Sequence, residues 1–241
     1  MTVLVFGGNG FVGCEIMQRL AELDIPCTSV SRSGERPAHL KQQAWAEQVN
    51  WLQGDAAKPD PEWFSECSVV ITLVGSPPVP TFSDEAYQRQ VFMNGITNKT
   101  VIEHAAAAGI KNVVLMSADI PKVLQKQGFG YYVGKQLAID AALQFAEGSG
   151  ERRISVLKPS SIYGTRHTKG GTGLPLSPFM YPMSKAIQAL PQSMRNHLMA
   201  APVSVAQVAE VALSEGLNTD PEYTGFKVWE CDDILNWPAQ G

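Results

Sequence analysis

The sequence predicts an α/β protein built on a doubly wound, mostly parallel sheet, and three observations lead to this expectation. In the first two-thirds of the chain, short β-branched runs alternate with helical patterns. These runs are almost continuously apolar, which is typical of strands covered by helices on both faces. A glycine-rich segment follows the first run directly and opens the first helical pattern. Parallel strands joined by right-handed crossovers satisfy all three.

Seven short apolar runs are expected to form strands. They are Val3–Phe6, Cys27–Ser31, Val49–Gln53, Val69–Val74, Val113–Ser117, Ile154–Lys158 and Phe226–Trp229. Helical periodicity between and after them predicts helices over Gly10–Leu23, Pro61–Glu66, Asp84–Ala108, Tyr131–Ala146, Ser184–Leu190 and Ser204–Glu215. Two of these helices are followed by a glycine suited to a C-cap, Gly109 and Gly216.

The chain is expected to form one nucleotide-binding domain over residues 1–241, because its 241 residues can bury a single substantial core. After Pro159 the alternation of strands and helices ends, which predicts a small substrate lobe formed mainly by residues 164–203 and 218–241. Within it, Gly164–Gly173 holds four glycines together with Arg166, His167 and Lys169. This segment either closes over an anionic group of the substrate or is a solvated, mobile loop.

Composition excludes several classes of function. A net charge of −4 and the lack of any Lys/Arg run argue against nucleic acid as a partner. No apolar run reaches the roughly 18 residues of a membrane span. The first strand begins so early that a targeting segment has no room, so we expect a cytoplasmic protein or a processed organellar one. The four cysteines and four histidines lack ligand spacing, which predicts reduced thiols and no metal site.

The segment Gly7-Gly8-Asn9-Gly10-Phe11-Val12-Gly13 is the strongest local signal. Gly7 permits a sharp turn out of the strand, Gly10 lets the backbone approach a diphosphate, and Gly13 allows the helix to pack on the sheet. The amides at the start of the helix then face the phosphates. A glycine-rich turn without a ligand is the alternative, but the order of strand, turn and helix favours a Rossmann dinucleotide site.

The end of the second strand bears on which dinucleotide binds. Sites for NAD usually place a carboxylate there, whereas this chain has Ser31-Arg32-Ser33, which suits a ribose 2′-phosphate. NADP(H) is therefore favoured over NAD(H), although Arg32 could be a surface cation and Glu35 could reach the ribose. Asp55 and Ala56 lie at the end of the third strand. The Asp55 carboxylate either accepts a hydrogen bond from the adenine amino group or only stabilises a turn.

Ser117, Tyr131 and Lys135 form a candidate catalytic set. Ser117 ends the fifth strand, at the carboxyl edge where open sheets bind ligands. Tyr131 and Lys135 are four residues apart on a helix and share one face, whereas Tyr132 is rotated by about 100°. A nearby ammonium is expected to lower the pKa of Tyr131 and favour its phenolate. The tyrosine would exchange a proton with a carbonyl or alcohol oxygen that Ser117 also binds.

With these residues in place, the chain resembles the short-chain dehydrogenase/reductase superfamily in its extended and atypical branches. The resemblance implies that Asn94 supports Lys135 through water, and that the segment from Leu157 to Gly164 lies beside the nicotinamide. It departs from the family at Gly134 and Lys158, where Ser and Arg are usual. The cofactor-binding residues we expect are Gly7, Gly8, Asn9, Gly10, Phe11, Val12, Gly13, Ser31, Arg32, Ser33, Asp55, Ala56, Leu73, Val74, Gly75, Lys135, Pro159, Ser160 and Ile162.

Two functions are compatible with this reading. The first is an NADP(H)-dependent oxidoreductase acting on a small or apolar carbonyl or alcohol; the chain looks too short for a sugar-nucleotide lobe. The second is a catalytically silent NADP(H)-binding accessory or assembly protein linked to quinone or respiratory metabolism. It follows from a likeness to an atypical group that includes an accessory subunit of respiratory complex I and a ubiquinone-synthesis protein. The chain could act as a homodimer or associate with a larger complex, and a sensor of the NADP(H) redox state is a further alternative.

Overall fold

A seven-stranded, entirely parallel sheet forms the centre of the computed structural model, which describes residues 1–168, 170–190 and 200–238. Its strands are β1 (Val3–Phe6), β2 (Cys27–Ser31), β3 (Asn50–Gln53), β4 (Val69–Thr72), β5 (Asn112–Met116), β6 (Arg153–Leu157) and β11 (Gly225–Trp229). They are ordered β3–β2–β1–β4–β5–β6–β11 across the sheet. The predicted α/β fold is confirmed, and each of the seven expected strands lies within two residues of its predicted bounds.

The order of the strands fixes where a ligand can bind. β1 pairs with β2 on one side and with β4 on the other, so Phe6 lies opposite Val30 and Thr72. The chain moves outward from β1 to β3 and then crosses back to β4. This reversal opens a crevice at the carboxyl ends of β1 and β4, which is the usual ligand site of doubly wound sheets.

Helices cover both faces of the sheet and create two apolar cores. The helices are α1 (Phe11–Glu22), α2 (Asp84–Val91), α3 (Thr97–Ala107), α4 (Gly130–Glu147), α5 (Ser177–Gln188), α6 (Val205–Leu217) and α7 (Cys231–Leu235). One core places Ile16 of α1 and Val208 of α6 against Val5 of β1. The other packs Ile102 of α3 and Ala142 of α4 against the opposite face. Single 3₁₀ turns occur at Ala38–Leu40, Ala44–Glu47, Pro61–Phe64 and Lys122–Leu124.

The predicted long helix over Asp84–Ala108 spans almost these residues, but it is not a continuous α-helix. A π turn at Phe92–Ile96 joins α2 to α3, and the helix ends before Gly109, whose φ of +76° suits a glycine C-cap. α4 crosses this turn very closely. A Cβ at Gly134 would lie 2.9 Å from the Asn94 Cβ, and one at Gly95 would lie 2.7 Å from the Gly134 carbonyl oxygen. Gly134, a departure from the family pattern, therefore lets α4 approach the π turn.

The chain after Pro159 is more ordered than a loop and one short helix. β8 (Thr165–His167) and β9 (Gly173–Pro175) form an antiparallel hairpin within the predicted Gly164–Gly173 loop, and β7 (Ile162–Tyr163) pairs with β10 (Val203–Ser204). α5 begins seven residues before the predicted Ser184. Lys169 and residues 191–199 and 239–241, which belong to the predicted lobe, lie outside the described residues.

Gly216 is not the C-cap that was predicted for the last long helix. α6 continues through this position to Leu217, and Asn218 is its C-cap. Gly216 is buried under the sheet, where a Cβ would contact Val69 at 3.4 Å. The glycine thus allows close packing of α6 on β4 instead of ending the helix.

Candidate active site

The glycine-rich turn lies at the carboxyl end of β1 and leads into α1. Gly7 has a φ of +87°, and its carbonyl oxygen accepts a hydrogen bond from the Gly10 amide at 3.0 Å. A Cβ at Gly13 would lie only 2.3 Å from that oxygen, whereas one at Gly10 would meet nothing closer than 3.2 Å. Gly10 is the N-cap of α1 and offers no side-chain cap, so the first amides of the helix remain open to an anion.

Asn9 connects this turn to the end of β2, where the adenosine ribose was predicted to bind. Its side-chain amide donates to the Ser33 hydroxyl at 3.3 Å, and the Ser31 hydroxyl accepts from the Gly34 amide at 3.2 Å. Arg32 lies between the two serines and is exposed. Its guanidinium has no hydrogen bond or ion pair with the residues that the structure describes. This arrangement can present a cation to a phosphate group on the ribose.

Asp55 occupies a turn at the end of β3, close to the expected adenine pocket. One of its carboxylate oxygens accepts a hydrogen bond from the Ala57 amide at 2.9 Å, which makes it a turn-stabilising residue in this structure. The side chain is exposed and its second oxygen is not used in that bond. The turn function and a contact with adenine are therefore compatible, and the latter stays a prediction for Asp55 and Ala56.

The segment Leu73-Val74-Gly75 connects the cofactor crevice with the catalytic groups. Leu73 donates its amide to the Phe6 carbonyl oxygen at 2.9 Å and packs against Gly7. A Cβ at Gly75 would lie 2.9 Å from the Asn94 side-chain oxygen and 3.6 Å from the Lys135 ammonium. The backbone at Gly75 thus lies directly over the two predicted catalytic residues.

Lys135 is buried beneath this segment and is held to the sheet edge. Its ammonium donates a hydrogen bond to the Met116 carbonyl oxygen at 2.9 Å and lies 5.8 Å from the centre of the Tyr131 ring. Burial lowers the pKa of Lys135 from 10.5 to about 8. The side chain still carries its charge at neutral pH.

Tyr131 differs from the expectation in its ionisation. Burial raises the pKa of its phenol to about 12, so the hydroxyl stays protonated at neutral pH. The predicted phenolate is wrong for this structure because desolvation outweighs the attraction of an ammonium that is bound to a carbonyl oxygen instead. Tyr131 is therefore protonated and can donate a hydrogen bond or a proton to a substrate oxygen.

Ser117 follows Met116 at the end of β5 and donates its backbone amide to the Leu157 carbonyl oxygen at 2.8 Å. Its hydroxyl oxygen is buried and has no hydrogen-bond partner among the described residues. An unpaired buried hydroxyl destabilises a fold, which is typical of a group kept for a ligand. The next residue, Ala118, lines the neighbouring cavity, whereas Ser117 does not.

Asn94 projects from the π turn towards the crevice and is fixed by two residues that sequence reasoning missed. Its amide nitrogen donates to the Ser76 hydroxyl at 2.8 Å and to the Gln90 carbonyl oxygen at 2.9 Å. Gln90 also accepts from the Tyr131 amide at 3.1 Å and so anchors the start of α4. The spacing of Gln90 one helical turn before Asn94 was the available signal. Asn94 makes no direct hydrogen bond to Lys135.

A cavity of about 670 Å³ opens beside Tyr131. Pro159, Ser160 and Ile162, which were predicted to lie beside the nicotinamide, form part of its wall. Most of the remaining wall is apolar and consists of Pro78, Ile120, Pro121, Leu124, Phe129, Leu176 and Met180. Its size is within the range of small-molecule sites.

The cavity also has charged residues in its lining. Asp119, Glu230 and Asp232 line it together with Lys122 and Arg166, and Lys158 donates to Glu230 at 2.8 Å. Burial, together with repulsion by Glu230, raises the pKa of Asp119. The cavity therefore combines apolar walls with charges of both signs.

Among residues 1–168, 170–190 and 200–238, no group of three or more His, Cys, Asp or Glu side chains is arranged to hold a metal ion. No described helix has the length and apolarity that a bilayer crossing requires.

Comparison with known proteins identifies the family of this architecture. A model of the NAD dependent epimerase/dehydratase family matches residues 3–177, which include the glycine turn and the four predicted catalytic residues. This match confirms the resemblance to the extended branch of the short-chain dehydrogenases/reductases. It also supports an NAD(P)-dependent enzyme.

Two proteins from eukaryotes are similar to this chain in sequence. An uncharacterised chloroplastic protein of Arabidopsis thaliana is 31% identical over 222 residues, which cover 86% of this chain and 68% of the relative. Component 2 of the MIOREX complex of Saccharomyces cerevisiae is 42% identical over 60 residues, or 24% of this chain and 22% of the yeast protein.

Solved structures with the same fold share little sequence. MoeE5 with UDP-glucose and NAD has a TM-score of 0.66 at 21% identity, over 95% of this chain and 75% of that protein. A variant of ElxO with NADPH bound has a TM-score of 0.65 at 14% identity, over 97% and 98% of the two chains. At these identities the likeness shows the fold.

Proposed function

We propose that this chain, which belongs to the NAD-dependent epimerase/dehydratase family, reduces a small or apolar carbonyl compound with a hydride from NADPH. The observation that carries the proposal is the position of Tyr131. Its ring forms part of the wall of a 670 Å³ cavity, one helical turn from the buried Lys135. Lys135 in turn is bound to the edge of the sheet that holds the glycine turn.

When bound, the cofactor supplies the hydride to the carbonyl carbon. The Tyr131 hydroxyl donates its proton to the carbonyl oxygen, so the products are an alcohol and the oxidised cofactor. The Lys135 ammonium stabilises the negative charge left on the phenol oxygen. The buried hydroxyl of Ser117 does not line the cavity, so it would bind the same substrate oxygen only after a local rearrangement exposes it. Asn94 keeps the backbone over Lys135 in place through Ser76.

The mostly apolar lining of the cavity supports a compact substrate such as a ketone, aldehyde or quinone. Its apolar body would contact residues such as Phe129 and Met180. The charged residues of the cavity have both signs, because Lys122 and Arg166 line it together with Asp119, Glu230 and Asp232. These charges therefore do not by themselves exclude a sugar nucleotide such as the UDP-glucose bound to MoeE5.

The preference for NADPH rests on Arg32. Arg32 is exposed and precedes Ser33, to which Asn9 donates a hydrogen bond, and a guanidinium can bind a 2′-phosphate bidentately. Arg32→Ala should weaken NADPH binding about tenfold or more and leave NADH binding nearly unchanged, because a charge-assisted hydrogen bond is lost. Arg89→Ala removes an exposed arginine of α2 and serves as the control. Equal loss for both cofactors would contradict the assignment.

The proposal is tested by calorimetric titration of the purified chain with NADPH and NADH, followed by an assay of NADPH oxidation with a panel of ketones, aldehydes and quinones. Binding followed by carbonyl-dependent oxidation of NADPH is expected. A folded chain that binds neither dinucleotide would refute the proposal.

A second function is favoured by the match to a component of the yeast MIOREX complex. In it, the chain binds NADPH and acts as an accessory subunit without turnover. Persistent lack of turnover together with tight NADPH binding and co-purification with a larger assembly would select it. The chloroplastic relative favours an organelle over the cytoplasm as the compartment, which fractionation of the native cells tests.

A further inference from the structure

The strand residues of the β8–β9 hairpin are exposed, but the hairpin contacts other segments at its base and at its tip. At its base, a Cβ at Gly164 would lie 3.1 Å from the Phe11 ring. At its tip, Gly171 has a φ of +87° and lies against Ala38 and the His39 backbone. Phe11 follows β1, Ala38 follows β2, and the hairpin itself follows β6. The hairpin therefore spans the carboxyl edge of the sheet over the glycine turn.

A pair of stacked histidines fastens the tip of the hairpin. The rings of His39 and His167 lie 3.7 Å apart between centroids, with an angle of 5° between their planes. Burial, and secondarily repulsion by His167, lowers the pKa of His39. The small angle between the ring planes places the two rings in face-to-face contact.

Arg166 lies between the His39–His167 stack and the base of the hairpin. Its guanidinium carbon lies 6.0 Å from the centre of the Phe11 ring, and Phe11 is the first residue of α1. The guanidinium has no hydrogen bond or ion pair with the residues that the structure describes. The cation thus lies near the side chain of the first residue of α1, whose first amides are open to an anion, and Arg166 also lines the 670 Å³ cavity.

We propose that the hairpin is a second wall of the cofactor site, in which Arg166 binds the dinucleotide diphosphate and the His39–His167 stack holds the hairpin closed over it. The proposal rests on the proposed dinucleotide binding. It adds that the hairpin slows dissociation of the bound dinucleotide. The glycine turn binds the diphosphate from below through backbone amides, and Arg166 binds it from above. The cofactor then dissociates only after the two histidines separate.

The contact of Arg166 is tested with two ligands that differ in the diphosphate. Arg166→Gln should weaken NADPH binding by ten- to a hundredfold, since a charge-assisted contact is lost, whereas binding of adenosine 2′-phosphate should stay unchanged. Arg166→Lys should restore part of the NADPH affinity. Equal effects on both ligands, or an effect on substrate KM alone, would overturn the assignment.

The fastening is tested by NADPH dissociation rates in stopped-flow experiments. His39→Ala and His167→Ala should each raise the rate about tenfold, and the double variant should raise it no further, because the two rings contact each other. Thr172→Ala, an exposed change in the same hairpin, is the control, and melting temperatures verify that each variant is folded. Rates equal to the control, or additive effects, would overturn the proposal. If the parent chain binds no dinucleotide, the proposed function itself fails, which the parent titration reveals first.

Discussion

The Lys135 ammonium donates a hydrogen bond to the Met116 carbonyl oxygen at 2.9 Å, and this bond ties the middle of α4 to the end of β5. The pair sets the geometry of the candidate site, because Tyr131 lies one turn before Lys135 and Ser117 comes directly after Met116. It also brings a positive charge into a fully buried position. Several consequences of this arrangement can be measured.

Lys135→Met should remove a pH dependence of stability. The folded-state pKa of about 8 is lower than the value of 10.5 in the unfolded chain, so between these values the unfolded state binds more protons. The stability of the parent therefore rises with pH in this window and is lowest, for this group, below pH 8. Relative to Lys135→Met, we expect the parent to gain about 2 kcal/mol between pH 8 and pH 10 in urea unfolding. A constant difference between the two proteins would contradict the buried charge.

Tyr131→Phe should abolish turnover but leave the affinity for the cofactor nearly unchanged. Loss of the proton donor should lower kcat by about a hundredfold or more, while NADPH affinity stays within about twofold. Tyr132→Phe is the matched control, since the adjacent ring is rotated about 100° around the helix and should retain activity. Undiminished turnover in Tyr131→Phe, measured by NADPH oxidation, would remove this residue from the reaction.

Gly10→Ala should mainly weaken NADPH binding, whereas Gly13→Ala should mainly lower the stability of the fold. A methyl group at Gly10 meets the Gly7 oxygen at 3.2 Å and otherwise points into open space, so the protein should fold but bind NADPH at least about tenfold more weakly. A methyl group at Gly13 would lie 2.3 Å from the same oxygen and should lower the free energy of unfolding by about 2 kcal/mol or more. Chemical denaturation and calorimetry measure both, and the reverse ranking of stabilities would refute this view of the turn.

Ser117→Ala should leave the protein as stable as the parent, or up to about 1 kcal/mol more stable, because it removes a buried hydroxyl that lacks a partner. Turnover should fall by about a hundredfold if this hydroxyl binds the substrate oxygen. Ser155→Ala, on the adjacent strand, is the comparison: its buried hydroxyl donates to Glu215, and its loss should cost about 1–3 kcal/mol. A large stability loss in Ser117→Ala would indicate a structural role instead.

The site could be located from sequence because its parts are local. The turn from Gly7 to Gly13 has strict spacing, and the four-residue interval between Tyr131 and Lys135 places both on one helical face. Their approach to Ser117 followed from the rule that parallel strands end at one sheet edge. The assignments to particular ligands stay predictions.

Other features depended on contacts between distant segments. Burial reversed the expected pKa shift of Tyr131, and burial is a property of the whole fold. The π turn around Asn94 occurs where Gly134 of another helix packs closely against it. The β8–β9 hairpin is formed by backbone pairing such as that of Arg166 with Leu174, in a segment whose sequence is typical of a loop.

The sequence by itself determined the α/β fold and the strand, turn and helix of the candidate cofactor site, and it supplied the candidate catalytic residues, because periodicity and spacing act along the chain. The tertiary structure alone decided which of those groups are desolvated, which glycines permit close crossings, and that His39 meets His167 across the crevice. These features depend on packing between residues far apart in sequence, which local sequence patterns do not predict.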